Sequence, residues 1–218
     1  MHGEMRFTVM SLSYVVASLL FIFGLRQLSH PRSARSGNRL AAAGMTIALL
    51  ATLLDRGIVS YLEIAIGTTI GAAIGIYSAR RVQMTAMPQM VALLNGFGGA
   101  ASVLVAGAAL ADLQAVPTLV VMIATAASGV IGAVTFWGSL VAFDKLQEMF
   151  LPGKPIHFAG QQPLNILLGV AVLGLSAWLA MGAGDQANMA YWLIVVIASV
   201  LGVLLIIPIG GADMPTVI

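Results

Sequence analysis

Long apolar stretches alternate along this chain with short connections that carry most of its charge. Seven stretches predict helices, at approximately 7–25, 40–54, 58–79, 89–111, 117–143, 164–183 and 190–208. About 20 apolar residues are needed to cross the hydrocarbon core of a bilayer, so the stretch at 40–54 is short for a span. After Pro208 the chain continues Ile-Gly-Gly-Ala-Asp-Met-Pro-Thr-Val-Ile, which predicts a loop and the first residues of an eighth helix. The expected fold is an all-α, polytopic transmembrane helix bundle of about seven spans plus that start. Residues 1–218 are expected to form one transmembrane domain with no soluble domain. The first stretch, Phe7 to Leu25, is too long for the core of a signal peptide and lacks a small-x-small cleavage site, so a retained helix is expected.

Composition narrows the picture. Sixty per cent of the residues are apolar and 8% are charged, against about 25% charged in a soluble domain. So few ions cannot build a water-facing surface, but they suffice for one that faces lipid. The net charge of +2 does not point to nucleic acid, because no basic stripe with interleaved aromatics is present. Cysteine is absent, which excludes disulfide and thiolate chemistry. His2, His30 and His157 all fall outside the apolar stretches, so no metal cluster is expected within the bundle.

Charge placement predicts orientation. Seven alternating spans put Arg26, Arg32, Arg35, Arg39, Arg80, Arg81, Lys145 and Lys154 on one side, leaving only Arg6 and Arg56 on the other. The richer side is expected to be cytoplasmic and the N-terminus outside. Dropping the short second span would scramble this alternation. Packing devices are visible too. Gly67, Gly71 and Gly75 repeat every four residues on one face, and Gly96, Gly99 and Ala100 form a similar group; both invite close approach of a neighbouring helix. A faint parallel repeat relates Ala86-Met-Pro-Gln-Met-Val91 to Asp213-Met-Pro-Thr-Val-Ile218, each with proline in the first turn of a helix.

Polar groups at membrane depth are expensive and therefore informative. Asn95 lies seven residues past Pro88, beside Gly96 and Gly98-Gly99. Its amide can donate and accept, so it suits either a water-bearing proton wire or an interhelical bond that fixes packing. Ser102, seven residues on, extends the same face. Thr125, Ser128, Thr135 and Ser139 are expected to bond to their own helix, and Glu63 to reach the interface. Asp213 reads equally as the N-cap of a proline-started helix and as a titratable carboxylate beside two mobile glycines. No nucleotide-binding glycine motif, phosphate loop or H-E-x-x-H sequence occurs.

The stretch Met84-Thr-Ala-Met-Pro-Gln-Met-Val-Ala-Leu-Leu-Asn-Gly-Phe-Gly-Gly-Ala-Ala-Ser102 resembles the membrane domain of the beta subunit of proton-translocating NAD(P) transhydrogenase. His30-Pro-Arg-Ser-Ala-Arg-Ser-Gly37, Gly132-Ala-Val-Thr-Phe-Trp-Gly-Ser-Leu-Val-Ala-Phe-Asp-Lys-Leu-Gln147 and Gly210-Gly-Ala-Asp-Met-Pro215 extend the resemblance in order along the chain. The family implies that hydride passes from NADH to NADP+ between soluble domains while protons cross a membrane domain built jointly with alpha-type subunits. It further implies an inner-membrane location and a dimer of protomers.

The resemblance gives Asn95, Ser102 and Asp213 roles in the proton path and its coupling. Some family members carry a relay histidine where this chain has Asn95; others pair an asparagine there with a histidine on the alpha side. An amide does not titrate, so the titrating group is expected on the partner. No cofactor is expected to bind this chain, NADP(H) and NAD(H) being held elsewhere in the complete enzyme. The chain is expected to stop short of the last helices and the NADP(H)-binding domain, and to be inactive alone. Two other classes compete with this one: a free-standing small membrane transporter or channel, and a structural membrane scaffold.

Overall fold

The computed structural model describes residues 2–53, 60–111 and 118–216. These form seven α-helices: α1 (His2–Leu28), α2 (Ala34–Leu53), α3 (Tyr61–Arg81), α4 (Met87–Ala111), α5 (Leu119–Gln147), α6 (Gln161–Ala180) and α7 (Ala187–Ile206). Short 3₁₀ turns occupy Met84–Ala86, Gly184–Gln186 and Gly211–Thr216. Among the described residues no strand occurs. Six helices are long and apolar enough to cross a membrane, and α2 is the exception. Its extra first turns, ahead of the apolar stretch expected at 40–54, carry Arg35, Ser36, Asn38 and Arg39. Where an eighth helix was expected to begin, the chain makes the 3₁₀ turn through Thr216. The ends of several expected spans, and Arg56, lie outside the described residues.

The chain divides into two compact units, residues 1–78 and 79–218. In the first, α1 and α2 form an antiparallel hairpin sealed by glycine. A Cβ on Gly37 would sit 2.6 Å from the Gly24 carbonyl oxygen, and one on Gly44 would sit 3.0 Å from that of Ala17. Only glycine permits backbones this close. Of the two glycine groups expected to do this, the one on α3 does not: among the described residues of this unit, a Cβ on Gly67, Gly71 or Gly75 would meet nothing within 4 Å. Helix α3 buries no residue. Spacing alone does not separate a glycine face that has a partner from one that has none.

In the second unit α5 is central. It packs along α4 and against α7 and α6, while α6 also packs on α7. Gly99 of α4 and Gly132 of α5 interlock, each placing an added Cβ 2.6 Å from the other's carbonyl oxygen. Gly202 of α7 meets the Val134 carbonyl at 2.7 Å in the same sense. Where these helices meet, Val103, Leu110, Met122, Val172, Leu179 and Ile194 are buried together. Outward-facing side chains such as Val105, Val120 and Leu173 stay about as apolar as the core and largely exposed. That inversion suits a hydrocarbon solvent.

Tyr191 is fully buried. Its ring lies against Gly107 and Gly129, where an added Cβ would come within 3.1 Å and 2.7 Å of it. Its hydroxyl donates to the Val103 carbonyl at 2.6 Å, tying α7 to α4. Tyr191→Phe keeps the ring but loses that bond, and should destabilise the chain by about 1 kcal/mol. A melt in detergent followed by tryptophan fluorescence would register this as a lowered midpoint; an unchanged midpoint would show the hydroxyl to be idle.

Candidate functional site

Several polar side chains of unit two lie toward the end where α4 and α6 begin and α5 and α7 finish. Asn95 sits two turns into α4 and its side-chain amide donates to Ser139 Oγ on α5 at 3.2 Å. Gly96 makes this possible, since a Cβ there would press on the Ser139 Cβ at 3.2 Å. Ser139 was expected to bond to its own helix; it is instead buried and accepts from α4. Asn95 itself remains exposed on its other side. The pair lines a cavity of about 160 Å³ together with Thr135, Gly138, Ala142 and Ile206. Such a space has room for several waters and offers them hydroxyl and amide partners.

Ser102 does not join this cavity. It lies seven residues on, about 10 Å along the helix, and its hydroxyl donates to the Ser128 carbonyl of α5 at 3.4 Å. Both α4 polar residues thus face α5, as their spacing led one to expect, yet at separate points. Two further carboxamides belong to this end of the unit. Gln89 Oε1 and Asn165 Oδ1 are buried and have no hydrogen-bond partner among the described residues.

Asp213 is exposed on the 3₁₀ turn Gly211–Thr216, where its N–H donates to the Gly210 carbonyl at 3.0 Å. The two glycines before it are packed. Gly211 N–H donates to the Gly153 carbonyl at 2.7 Å, and Ile156 N–H donates to that of Ile207 at 3.3 Å. Gly210 rests against Pro155, with an added Cβ 3.5 Å from that ring. Both glycines thus lie in ordinary contact with the 153–155 loop, to which the Gly211 N–H ties the segment.

The residue that organises these loops is Lys145, which sequence reasoning counted as a loop charge. Helix α5 runs past the expected end at 143 and carries Lys145 inward, where it is 1% exposed. Its ammonium donates to the carbonyls of Lys154 at 3.1 Å and Ile209 at 2.8 Å, and also to that of Ile207. An ammonium has three donors and no acceptor, so all three are used. Asp144 does the complementary work: its carboxylate accepts from the N–H groups of Phe150 at 3.2 Å and Leu151 at 2.8 Å. Glu148 between them takes the left-handed conformation, φ 52°, that turns the chain out of α5. Buried Gln161 adds a bond from α6 to the Leu204 carbonyl at 3.0 Å. A signal for Lys145 was present in its spacing: it stands three and four residues after buried Ala142 and Val141, on the same helical face.

Helix α5 therefore bears Ser139 and Lys145 six residues apart, about 9 Å along one rod. The first contacts Asn95; the second grips the backbone leading to Asp213. Among the described residues, no cluster of His, Asp and Glu side chains suited to a metal ion is formed.

A family model described as NAD(P) transhydrogenase beta subunit matches residues 10–218. Two Rhodospirillum rubrum proteins named NAD(P) transhydrogenase subunit beta are each 44% identical over 216 residues. The matches cover 94% of this chain and 45% of each relative, so the chain spans about half the length of the curated relatives it matches.

Proposed function

The chain belongs to the NAD(P) transhydrogenase beta subunit family, and on that premise we propose that it forms the proton-translocating membrane part of such an enzyme. Proton movement through it is coupled to hydride transfer from NADH to NADP+, carried out by soluble domains that hold both nucleotides. The balanced reaction is NADH plus NADP+ plus an outside proton, giving NAD+, NADPH and an inside proton. The observation that carries this reading is the family match along 10–218, which takes in Asn95, Ser139, Lys145 and Asp213 alike.

In this reading the cavity beside Asn95 and Ser139 is a hydrated section of the path, and Ser102 lies further along the same helix. The orphaned oxygens of Gln89 and Asn165, which do not line this cavity, are separate places where ordered water would be held. Asn95 orients water or a partner's imidazole without itself changing protonation. Its exposed side leaves it open to a helix from an alpha-type subunit, which would supply the titrating group. The Gly210–Asp213 segment transmits the nucleotide state to α5. The protomers pair as a dimer in a cell inner membrane, with the N-terminus outside and the arginine-bearing connections cytoplasmic; the eight-to-two distribution of basic residues supports that orientation.

Asp213→Asn in the complete enzyme, assembled with its alpha-type partners in sealed vesicles, tests the coupling role. Hydride transfer should persist while proton movement per hydride falls severalfold. Parallel measurement of NADPH formation and of a pH-sensitive dye checks it, and an unchanged proton-to-hydride ratio would reject the assignment of Asp213.

A further inference from the structure

The α1–α2 turn has features that the proton path does not use. Four arginines, Arg26, Arg32, Arg35 and Arg39, fall within one short stretch, and residues 5–54 contain no Asp or Glu. Their charge is therefore not offset locally within the hairpin. The turn is well built. Ser33 Oγ donates to the Gln27 carbonyl at 2.8 Å, His30 N–H donates to the same carbonyl at 3.3 Å, and Ser33 N–H donates to that of His30 at 3.1 Å. The Gly24–Gly37 contact clamps the hairpin just below.

Beside the turn lies a cavity of about 320 Å³ lined by Phe23, Arg26, Gln27, His30 and Ser33. Its lining is amphiphilic along the α1 axis. Phe23 is half-exposed among other exposed apolar side chains, Ile22 and Leu25. Arg26 follows one turn later, about 4.5 Å along the helix, and His30 one turn beyond that. Because α1 is apolar and long enough to cross a membrane up to Leu28, this change from ring to guanidinium falls at the boundary between hydrocarbon and water. Phospholipid phosphates lie at that level.

The geometry points to a binding site for the phosphate headgroup of an anionic phospholipid, with Arg26 and His30 on the phosphate, Gln27 and Ser33 beside it, and Phe23 against the first acyl carbons. Guanidinium groups donate in a planar fork that matches phosphate oxygens, and basic residues beside a membrane span attract anionic lipid. Free phosphate has the same charge chemistry but nothing to place against Phe23. The site requires only that α1 span a bilayer, so it stands apart from the transhydrogenase reading.

The test is native mass spectrometry of the chain, with any subunits that accompany it, titrated with phosphatidylglycerol, phosphatidylcholine or inorganic phosphate. Phosphatidylglycerol should bind at least tenfold more tightly than phosphatidylcholine. Arg26→Gln and His30→Gln should each weaken it, the arginine change by about fivefold, with helix content unchanged by circular dichroism. Arg39→Gln removes the same charge outside the cavity and should change affinity less than twofold. Equal weakening by Arg39→Gln would reveal diffuse attraction and overturn the site. Equal affinity for phosphatidylcholine would also overturn it, as would inorganic phosphate binding as tightly as phosphatidylglycerol.

Discussion

Lys145→Met is expected to lower the stability of the chain by about 3 kcal/mol or more, the usual result of removing one side of a buried charged hydrogen-bond set. Methionine keeps most of the length and volume of the lysine stem, so little packing is lost. What disappears is the donor shared by the carbonyls of Lys154, Ile207 and Ile209. Each bond to a charged donor contributes about 1.5–3 kcal/mol, and a buried acceptor left alone costs about 1–3 kcal/mol. Two of the three carbonyls also hold the chain as it leaves α7 toward Asp213, so the damage should spread to that segment. Lys145→Arg should not restore it, because a planar guanidinium cannot aim three donors at acceptors that converge on one point. The measurements are a thermal melt in detergent and proteolysis of the 207–213 segment. A melting midpoint equal to wild type, with no new cleavage, would mean that water replaces the ammonium and that the site is not closed.

How much of this was legible in the sequence depended on the kind of residue. Spans were legible because lipid calls for long uncharged stretches that soluble helices rarely share, and six of the seven expected stretches became helices fit to cross a membrane. The α2 stretch was legible as a helix but not in its extent, because its polar first turns begin beyond the apolar run that marked it. Asn95 stood out because an amide is rare in such a stretch, yet its partner did not. Ser139 was one of four hydroxyls on α5 with nothing local to distinguish it, and only the glycine contact at Gly96 selects it. Lys145 was hidden for the opposite reason. A charge near the end of an apolar run looks like an interfacial anchor, and its burial depends on carbonyls that arrive from 9, 62 and 64 residues away. Long-range partners of backbone atoms leave no trace in residue identity.

The glycines give the sharpest contrast between pattern and packing, and they supply the second large effect. Gly132→Val should destabilise the chain by about 3 kcal/mol, at the upper end of overpacking penalties. The added Cβ would lie 2.6 Å from the Gly99 carbonyl oxygen and 3.1 Å from the Val103 amide nitrogen. Those are backbone atoms, which cannot rotate away, so α4 and α5 must separate. Separation would stretch the Asn95–Ser139 bond and the Ser102–Ser128 bond together, since both bridge the same two helices. Gly71→Val is the matched control. Among the described residues its surroundings are open, and helix propensity alone changes by less than about 1 kcal/mol. A paired melt should therefore show a large fall for Gly132→Val and almost none for Gly71→Val. Comparable falls would mean that the α3 glycine face is packed within the folded chain, and that sequence spacing had identified a contact which this arrangement of α3 lacks.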